Sequence, residues 1–177
     1  EPVADMKAEI RSSSFEIRKL SGSKSKQIVS SEFFKAVEES AKWHASSVGS
    51  VLFDLLPSAI ISGYEDLPEP KDIIKRKRSR ESLVIQKADE DRYGHYKSLI
   101  RERFARKESV LMVMPTVEDI KKACSYFEKG IEPYTYILHS DLTKKEILKR
   151  WKEAADDTHP IIIVSTGSFL SLPRHDI

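Results

Sequence analysis

The sequence has little sulfur chemistry: Cys124 is its single cysteine among 177 residues. One thiol cannot form an internal disulfide or a cysteine-only metal site, which excludes a disulfide-stapled scaffold and favours a reducing compartment. It also lacks any apolar run near the roughly 20 residues of a membrane helix, and it opens with no charged-then-apolar leader. We therefore expect a cytoplasmic protein without a membrane partner. Because the chain begins at Glu1 rather than Met, we also expect it to be a piece of a longer protein.

Positive charge is concentrated in one stretch. The net charge is only +2, but residues 71–107 hold 13 Lys/Arg against 6 Asp/Glu, while the remainder holds 17 against 22. The densest part is the run "KRKRSR", which offers five cations for phosphate contacts: Lys75, Arg76, Lys77, Arg78 and Arg80. Binding through such a run would be strongly salt-dependent. A solvated linker is the other interpretation of the same residues.

The first half of the chain reads as helical. In "SEFFKAVEESAKWHA", the residues Phe34, Val37, Ala41 and Ala45 form an apolar stripe at helical spacing. We expect an interruption at Gly49 and a second helical segment that Pro57 stops, giving a hairpin. The following residues, 62–82, are rich in charge and contain two prolines, which predicts a linker between segments 1–61 and 83–177.

The second half alternates apolar runs with amphipathic stretches. Four strands are predicted, "LVI" at 83–85, "VLMVM" at 110–114, "YTYIL" at 134–138 and "IIIVS" at 161–165. Helices between them carry end signals, with Gly130 after one and Thr143 before another. The pattern predicts an α/β fold with a parallel sheet flanked by helices, in which ligands gather at the carboxyl ends of the strands.

One turn departs from what such a fold uses to bind nucleotides. "LVIQKADEDRYGHYKSLI" has the strand, turn and helix of a phosphate-binding unit, but its turn has no glycine-rich run and no Gly-Lys-Ser/Thr. A P-loop needs converging backbone N–H groups, a lysine for charge and a hydroxyl for Mg²⁺. Residues 88–91 instead supply Cβ bulk and three carboxylates, which oppose an anion. Lys87 or Arg92 would be the substitute cation if nucleotide bound here.

Four stretches resemble the primosomal protein N′ (PriA) family of superfamily 2 replication-restart DNA helicases. They are "SSEFFKAVEESAKWHASSVGSVLFDLLPSAI", "VLMVMPTVEDI", "LHSDLTKKEILKRWKEA" and "IIIVSTGSFLSLP", and they occur in the family's order over residues 28–60 and 83–177. The resemblance implies that 1–61 is the end of an N-terminal DNA-binding region and that 83–177 is a first RecA-like helicase lobe, incomplete at its C-terminus. The P-loop of that lobe would be degenerate.

The resemblance also implies a function and partners. We expect a DNA-binding protein of the replication-restart primosome that does not hydrolyse ATP in this lobe and that meets branched or single-stranded DNA, other primosome proteins or single-strand-binding proteins. The family's ATP and Mg²⁺ would then have no site in this fragment, and its structural zinc would lie outside the chain. Matching the motifs residue by residue places five side chains against a DNA strand: Thr116, His139, Ser140, Thr166 and Ser168. The family's Gly-Thr-Arg-Ser is here "STGS", which removes an arginine.

Two other functions stay open. The chain is alternatively part of an active ATP-dependent 3′-5′ helicase with a divergent nucleotide site, or an α/β protein-interaction domain that does not bind nucleic acid. We assign no catalytic, cofactor-binding or metal-binding residue. The acids at 89–91 beside His95 suit a helix N-terminus better than a metal site. Trp43 and Trp151 are expected to pack in a core or an interface.

Overall fold

The computed structural model describes residues 26–70, 92–127, 130–174 and 176–177. Three strands are present in these ranges, β1 (Val110–Val113), β2 (Thr135–Leu138) and β3 (Ile162–Ser165). Each is a short run rich in apolar or β-branched residues, which suit a pleated surface covered on both sides. The predicted α/β class is therefore confirmed, while the strand predicted at 83–85 lies outside the described residues.

The sheet is parallel, with β3 between β1 and β2. Ser165, the last residue of β3, is level with Val113 on one side and with Leu138 on the other. The three strands therefore end together at one edge, which we call the carboxyl edge, and the residues that follow them start from the same level.

Six α-helices accompany the sheet in the described ranges. In chain order they are α1 (Ser31–Trp43), α2 (Val48–Leu55), α3 (Ser58–Ser62), α4 (Arg92–Ala105), α5 (Val117–Phe127) and α6 (Lys144–Asp156). Short 3₁₀ helices occur at Tyr64–Asp66, Glu132–Tyr134 and Gly167–Phe169. The end signals in the sequence are confirmed, because Gly130 has φ +91° beyond α5 and Thr143 caps α6.

The two faces of the sheet carry separate cores. Ile162 and Val164 of β3 face α4 and α5, whereas Ile161 and Ile163 face α6 together with α3. Trp151 of α6 is fully buried on this second face, as the sequence predicted. Alternation along β3 thus places helices on both sides, which is the layering expected of a parallel sheet.

The N-terminal helices α2 and α3 join the second core instead of standing apart. Ala59 and Ile60 of α3 and Leu67 just after it are at most 2% exposed and belong to the cluster around Trp151. The Ser171 hydroxyl donates to the Leu55 carbonyl at 3.1 Å, which ties α2 to the chain after β3. Folded structure thus extends to Leu67, inside the segment predicted as a linker, and the division at 62–82 stays a prediction.

Three details of the helical segment differ from the sequence analysis. The break lies at residues 44–47, where Ala45 has φ +48°, and not at Gly49, which is inside α2. Pro57 ends α2 but also starts α3. Trp43 does not pack in a core, because 89% of its surface is exposed.

A buried charge cluster closes the opposite, amino edge of the sheet. The Arg174 side chain is 2% exposed and pairs with the Asp176 carboxylate through Nε at 2.7 Å and Nη2 at 2.6 Å. The Ser109 hydroxyl, just before β1, donates to the same carboxylate and accepts from the Ile161 N–H at 3.0 Å. Nη1 donates to the Ala154 carbonyl at 2.6 Å, in the last turn of α6. One side chain therefore holds β1, β3 and α6 together.

Candidate nucleic-acid interface

The described candidate residues all follow strand ends at the carboxyl edge. Thr116 comes three residues after β1, His139 and Ser140 follow β2, and Thr166 follows β3. The Thr166 N–H donates to the Leu138 carbonyl at 3.4 Å, so the turn after β3 stays against β2. Parallel pairing therefore brings together residues that are distant in sequence.

The chain leaves β1 and β3 toward opposite faces of the sheet. After β1 the chain enters α5, whose Ile120 packs on the first face. After β3 it enters a 3₁₀ turn whose Phe169 packs on the second face. Parallel α/β sheets bind ligands where the connections after two neighbouring strands go to opposite faces of the sheet. Thr116, Thr166 and Ser168 follow these two strands.

The Thr116 hydroxyl already has local partners. Its Oγ1 accepts from the Asp119 N–H at 3.1 Å and donates to Asp119 Oδ2 at 2.7 Å, so it caps the first turn of α5. Structure therefore accounts for this residue without a ligand, and its role against DNA stays a prediction.

Both helices that start at this edge carry carboxylates at their N-termini. Glu118 and Asp119 occupy the first turn of α5, and Glu146 completes a capping box with Thr143 in α6. The Glu146 carboxylate accepts from the Thr143 hydroxyl at 2.6 Å and from its N–H at 2.9 Å, and these bonds lower the pKa of Glu146. The helix dipoles are thus already matched by negative charge, which disfavours a phosphate at either end.

The surroundings of His139 favour its neutral form. It is half-buried, and burial, aided by the nearby charges of Arg150 and Lys121, lowers its pKa despite the opposing charge of Asp141. Within the described part of the chain, its Nδ1 is buried without a hydrogen-bond partner. A neutral imidazole offers one donor and one acceptor, so His139 has the groups needed to hydrogen-bond a nucleic-acid backbone.

The remaining hydroxyls differ in accessibility. Ser140 is exposed and lies 3.5 Å from the Asp141 carboxylate, whereas Thr166 and Ser168 are half-buried. Among the described residues, neither of these two side chains has a hydrogen-bond partner, so both are available to a ligand. Their contact with DNA stays a prediction.

Ser165 is a polar residue of this edge that the sequence analysis did not select. It is fully buried at the end of β3, and its Oγ has no partner in the ranges that the structure describes. The signal was present in the sequence, since a serine that ends the run "IIIV" must leave a hydroxyl beside the core. Two unpartnered polar atoms, on Ser165 and on His139, therefore lie close to the same strand ends.

The structure of the basic run is not among the described parts of the chain. Lys75, Arg76, Lys77, Arg78 and Arg80 lie outside the described residues, so phosphate binding by the run stays a prediction. Where the structure is described, no group of three or more His, Cys, Asp and Glu side chains is arranged to hold a metal ion. None of the described helices is long and apolar enough to cross a membrane.

Comparison with known proteins gives one relative. Over 73 residues, 41% of the chain, the sequence is 30% identical to the replication restart protein PriA of Buchnera aphidicola subsp. Schizaphis graminum. The matched segment spans 10% of that protein's length. No family model and no solved structure matches the chain.

Proposed function

We propose that this chain is a DNA-binding part of a replication-restart protein of the primosome, located in the cytoplasm, and that it does not hydrolyse ATP with this lobe. The observation that carries the proposal is the 30% identity over 73 residues to a replication restart protein. Branched or single-stranded DNA would be its ligand. Other primosome or single-strand-binding proteins would be its protein partners.

The chemistry of the carboxyl edge supports contact with a DNA backbone. Thr166 and Ser168 offer hydroxyls without partners among the described residues, and His139 offers a neutral imidazole. Hydroxyls and imidazoles are suited to hydrogen bonds with phosphate and sugar oxygens, which position a protein without reading sequence. We therefore assign these side chains to backbone positioning, with the net positive charge supplied by Lys75 to Arg80.

Two features support the lack of ATP hydrolysis. The sequence before α4 has Asp89, Glu90 and Asp91 in place of a glycine-rich stretch with a lysine. The N-termini of α5 and α6 are matched by their own carboxylates. Because phosphoryl transfer depends on positioned cations and N–H groups, losing the loop and its lysine together should lower the rate by several powers of ten.

A salt titration of DNA binding tests the proposal. Affinity for labelled forked DNA is measured across a salt series for the natural chain and for a variant with alanine at all five cations from Lys75 to Arg80. If each cation meets a phosphate, the variant's log–log salt slope should be shallower by about 4. Two exposed lysines of α6, Lys149 and Lys152, serve as the control when changed to alanine, because they lie beyond the first turn of the helix that starts at the carboxyl edge.

The outcomes separate the three candidate functions. Salt-sensitive binding that ignores ATP and Mg²⁺ supports the proposal. Binding that changes with ATP, together with DNA-stimulated hydrolysis, would favour the helicase with a divergent nucleotide site. No DNA binding at low salt would leave the protein-interaction domain.

A further inference from the structure

Two tyrosines from neighbouring helices form a parallel stack on the first face of the molecule. The rings of Tyr93 in α4 and Tyr126 in α5 lie 4.3 Å apart between centroids with an interplanar angle of 1°. Tyr93 packs against the core cluster around Ile120, and Tyr96 meets it edge-on at 6.2 Å. The core thus holds the inner ring, that of Tyr93, and the Tyr93 ring in turn holds the outer ring, that of Tyr126. We call Tyr93 and Tyr126 the tyrosine platform.

The outer ring is ordered and yet accessible. Tyr126 is 53% exposed although it stacks on Tyr93. An exposed aromatic side chain normally loses rotamer freedom when a ligand binds, and that loss weakens binding. Because the stack already restricts Tyr126 in the folded protein, ligand binding causes little further loss of its rotamer freedom. The free part of its ring surface is a preorganised place for another flat group.

Basic side chains lie next to the platform. The Arg92 guanidinium carbon lies over the Tyr93 ring, 5.2 Å from its centroid. Lys97 follows Tyr93 by one helical turn, and Lys122 precedes Tyr126 by one turn. Among the described residues, none of these three cations pairs with a carboxylate. Asp89, Glu90 and Asp91 precede Arg92 in the sequence and lie outside the described residues.

We infer that the tyrosine platform stacks a base of single-stranded DNA on Tyr126, while the neighbouring cations hold the flanking phosphates. This inference rests on the proposed function and adds a site to it. Single-stranded nucleic acid presents flat base faces next to an anionic backbone, and aromatic rings among cations match both. Inside duplex DNA each base is stacked on its neighbours, so only the terminal base pairs offer a face to Tyr126. Such a site tolerates any base sequence.

Affinity for a labelled thymidine oligonucleotide is measured for the natural chain and for two substitutions. Tyr126→Ala removes the ring and should weaken binding by about 5- to 150-fold, the range for one stacked base. Tyr126→Phe keeps the ring and should stay within about twofold of the natural chain. Tyr134→Ala is the matched control, because Tyr134 is 40% exposed but lies at the amino end of β2. It should also stay within about twofold.

A second measurement uses the unaltered protein, so it does not depend on how the variants fold. A 5-iododeoxyuridine oligonucleotide is photocrosslinked to the chain, and the modified peptide is identified by mass spectrometry. The site predicts a crosslink on Tyr126. The same variants are tested against closed-circular duplex DNA, which has no terminal base pairs and for which Tyr126→Ala should have no effect beyond about twofold.

The results distinguish failure of this site from failure of the proposed function. A natural chain that binds neither single strands nor forks at low salt would end both. Binding by the natural chain that Tyr126→Ala leaves intact, with crosslinks elsewhere, would overturn the platform alone. Equal losses for single strands and duplex would also overturn it, because stacking on a base would not explain them.

Discussion

Removing the guanidinium of Arg174 should strongly destabilise the fold. The substitution Arg174→Met leaves the Asp176 carboxylate, 12% exposed at its side chain, without its cation. It also removes donors from the backbone carbonyls of Ala154, Asp157 and His159. Breaking a buried ion pair by removing one partner costs about 3–5 kcal/mol, because the remaining charge stays buried. We expect a loss in that range.

Urea denaturation followed by circular dichroism measures this loss, and a thermal melt gives an independent value. For a chain of this size, each kcal/mol corresponds to about 2–4 °C, so the midpoint should fall by roughly 6–20 °C. Arg150→Met is the graded control, because Arg150 is half-buried and donates one bond, to the Ile137 carbonyl at 2.9 Å. It should cost about 1 kcal/mol. Equal effects of the two substitutions would refute the reasoning.

The cost of Arg174→Met should also depend on pH in a defined direction. Burial by itself raises the pKa of Asp176, but hydrogen bonds from Arg174 and Ser109 outweigh it and lower the pKa below its ordinary value. Because its folded pKa is lowered, the ionised Asp176 carboxylate stabilises the protein above the unfolded pKa of about 3.9. This stabilisation is lost as the pH falls through the folded pKa. Without Arg174, burial favours the protonated carboxyl. The difference between variant and natural chain should therefore shrink on acidification.

Two further predictions concern the carboxyl edge. Because burial lowers the pKa of His139, the fold favours the neutral imidazole. The resulting contribution to stability is complete above the unfolded pKa of about 6.5 and is lost as the pH falls through the lower folded pKa. Urea melts at pH 7.5 and 5.5 should show this loss, and His139→Gln should reduce it; an unchanged pH dependence in that variant would contradict the prediction. Ser165→Ala removes a buried hydroxyl without a partner among the described residues and should change stability by less than about 1 kcal/mol, or raise it. A loss above about 2 kcal/mol would mean that Ser165 has a partner.

The strands and their neighbours could be predicted because their signals are local. β3 is a continuous apolar run, and its residues Ile162 and Ile163 are fully buried on opposite faces. Glycine beyond α5 adopts φ +91°, which few other residues tolerate, and Thr143 before α6 forms a capping box. These end signals act within a few residues, so the sequence alone places the helices between the strands.

The helical break was misplaced because several residues there are compatible with it. Gly49 suggested the interruption, but Ser47 caps α2 by accepting the Ser50 N–H at 3.1 Å, and glycine is tolerated in the exposed first turn. Another glycine matters for packing: a Cβ on Gly63 would lie 2.6 Å from Leu148 of α6. That constraint comes from tertiary structure, which no local pattern expresses.

Side chains with distant partners could not be found from the sequence. Arg174 lies in "LPRHDI", and its partner Ser109 is 65 positions away. Tyr93 and Tyr126 each look like ordinary residues of amphipathic helices, and only the packing of α4 on α5 brings their rings together. The candidate residues at the carboxyl edge were selected in a different way, by the resemblance to a helicase family, and the structure places them after strands that end at one edge.

The two edges of the sheet differ in how their polar groups are satisfied. At the amino edge, the guanidinium of Arg174 bonds a carboxylate, a hydroxyl and backbone carbonyls, which is the arrangement that makes a buried charge stable. At the carboxyl edge, His139 Nδ1 and Ser165 Oγ are buried without partners among the described residues. Unsatisfied buried groups lower stability, and folded proteins keep few of them outside sites that bind something. We therefore expect substitutions at the amino edge to affect unfolding, and substitutions of Thr166 and Ser168 at the carboxyl edge to affect DNA affinity.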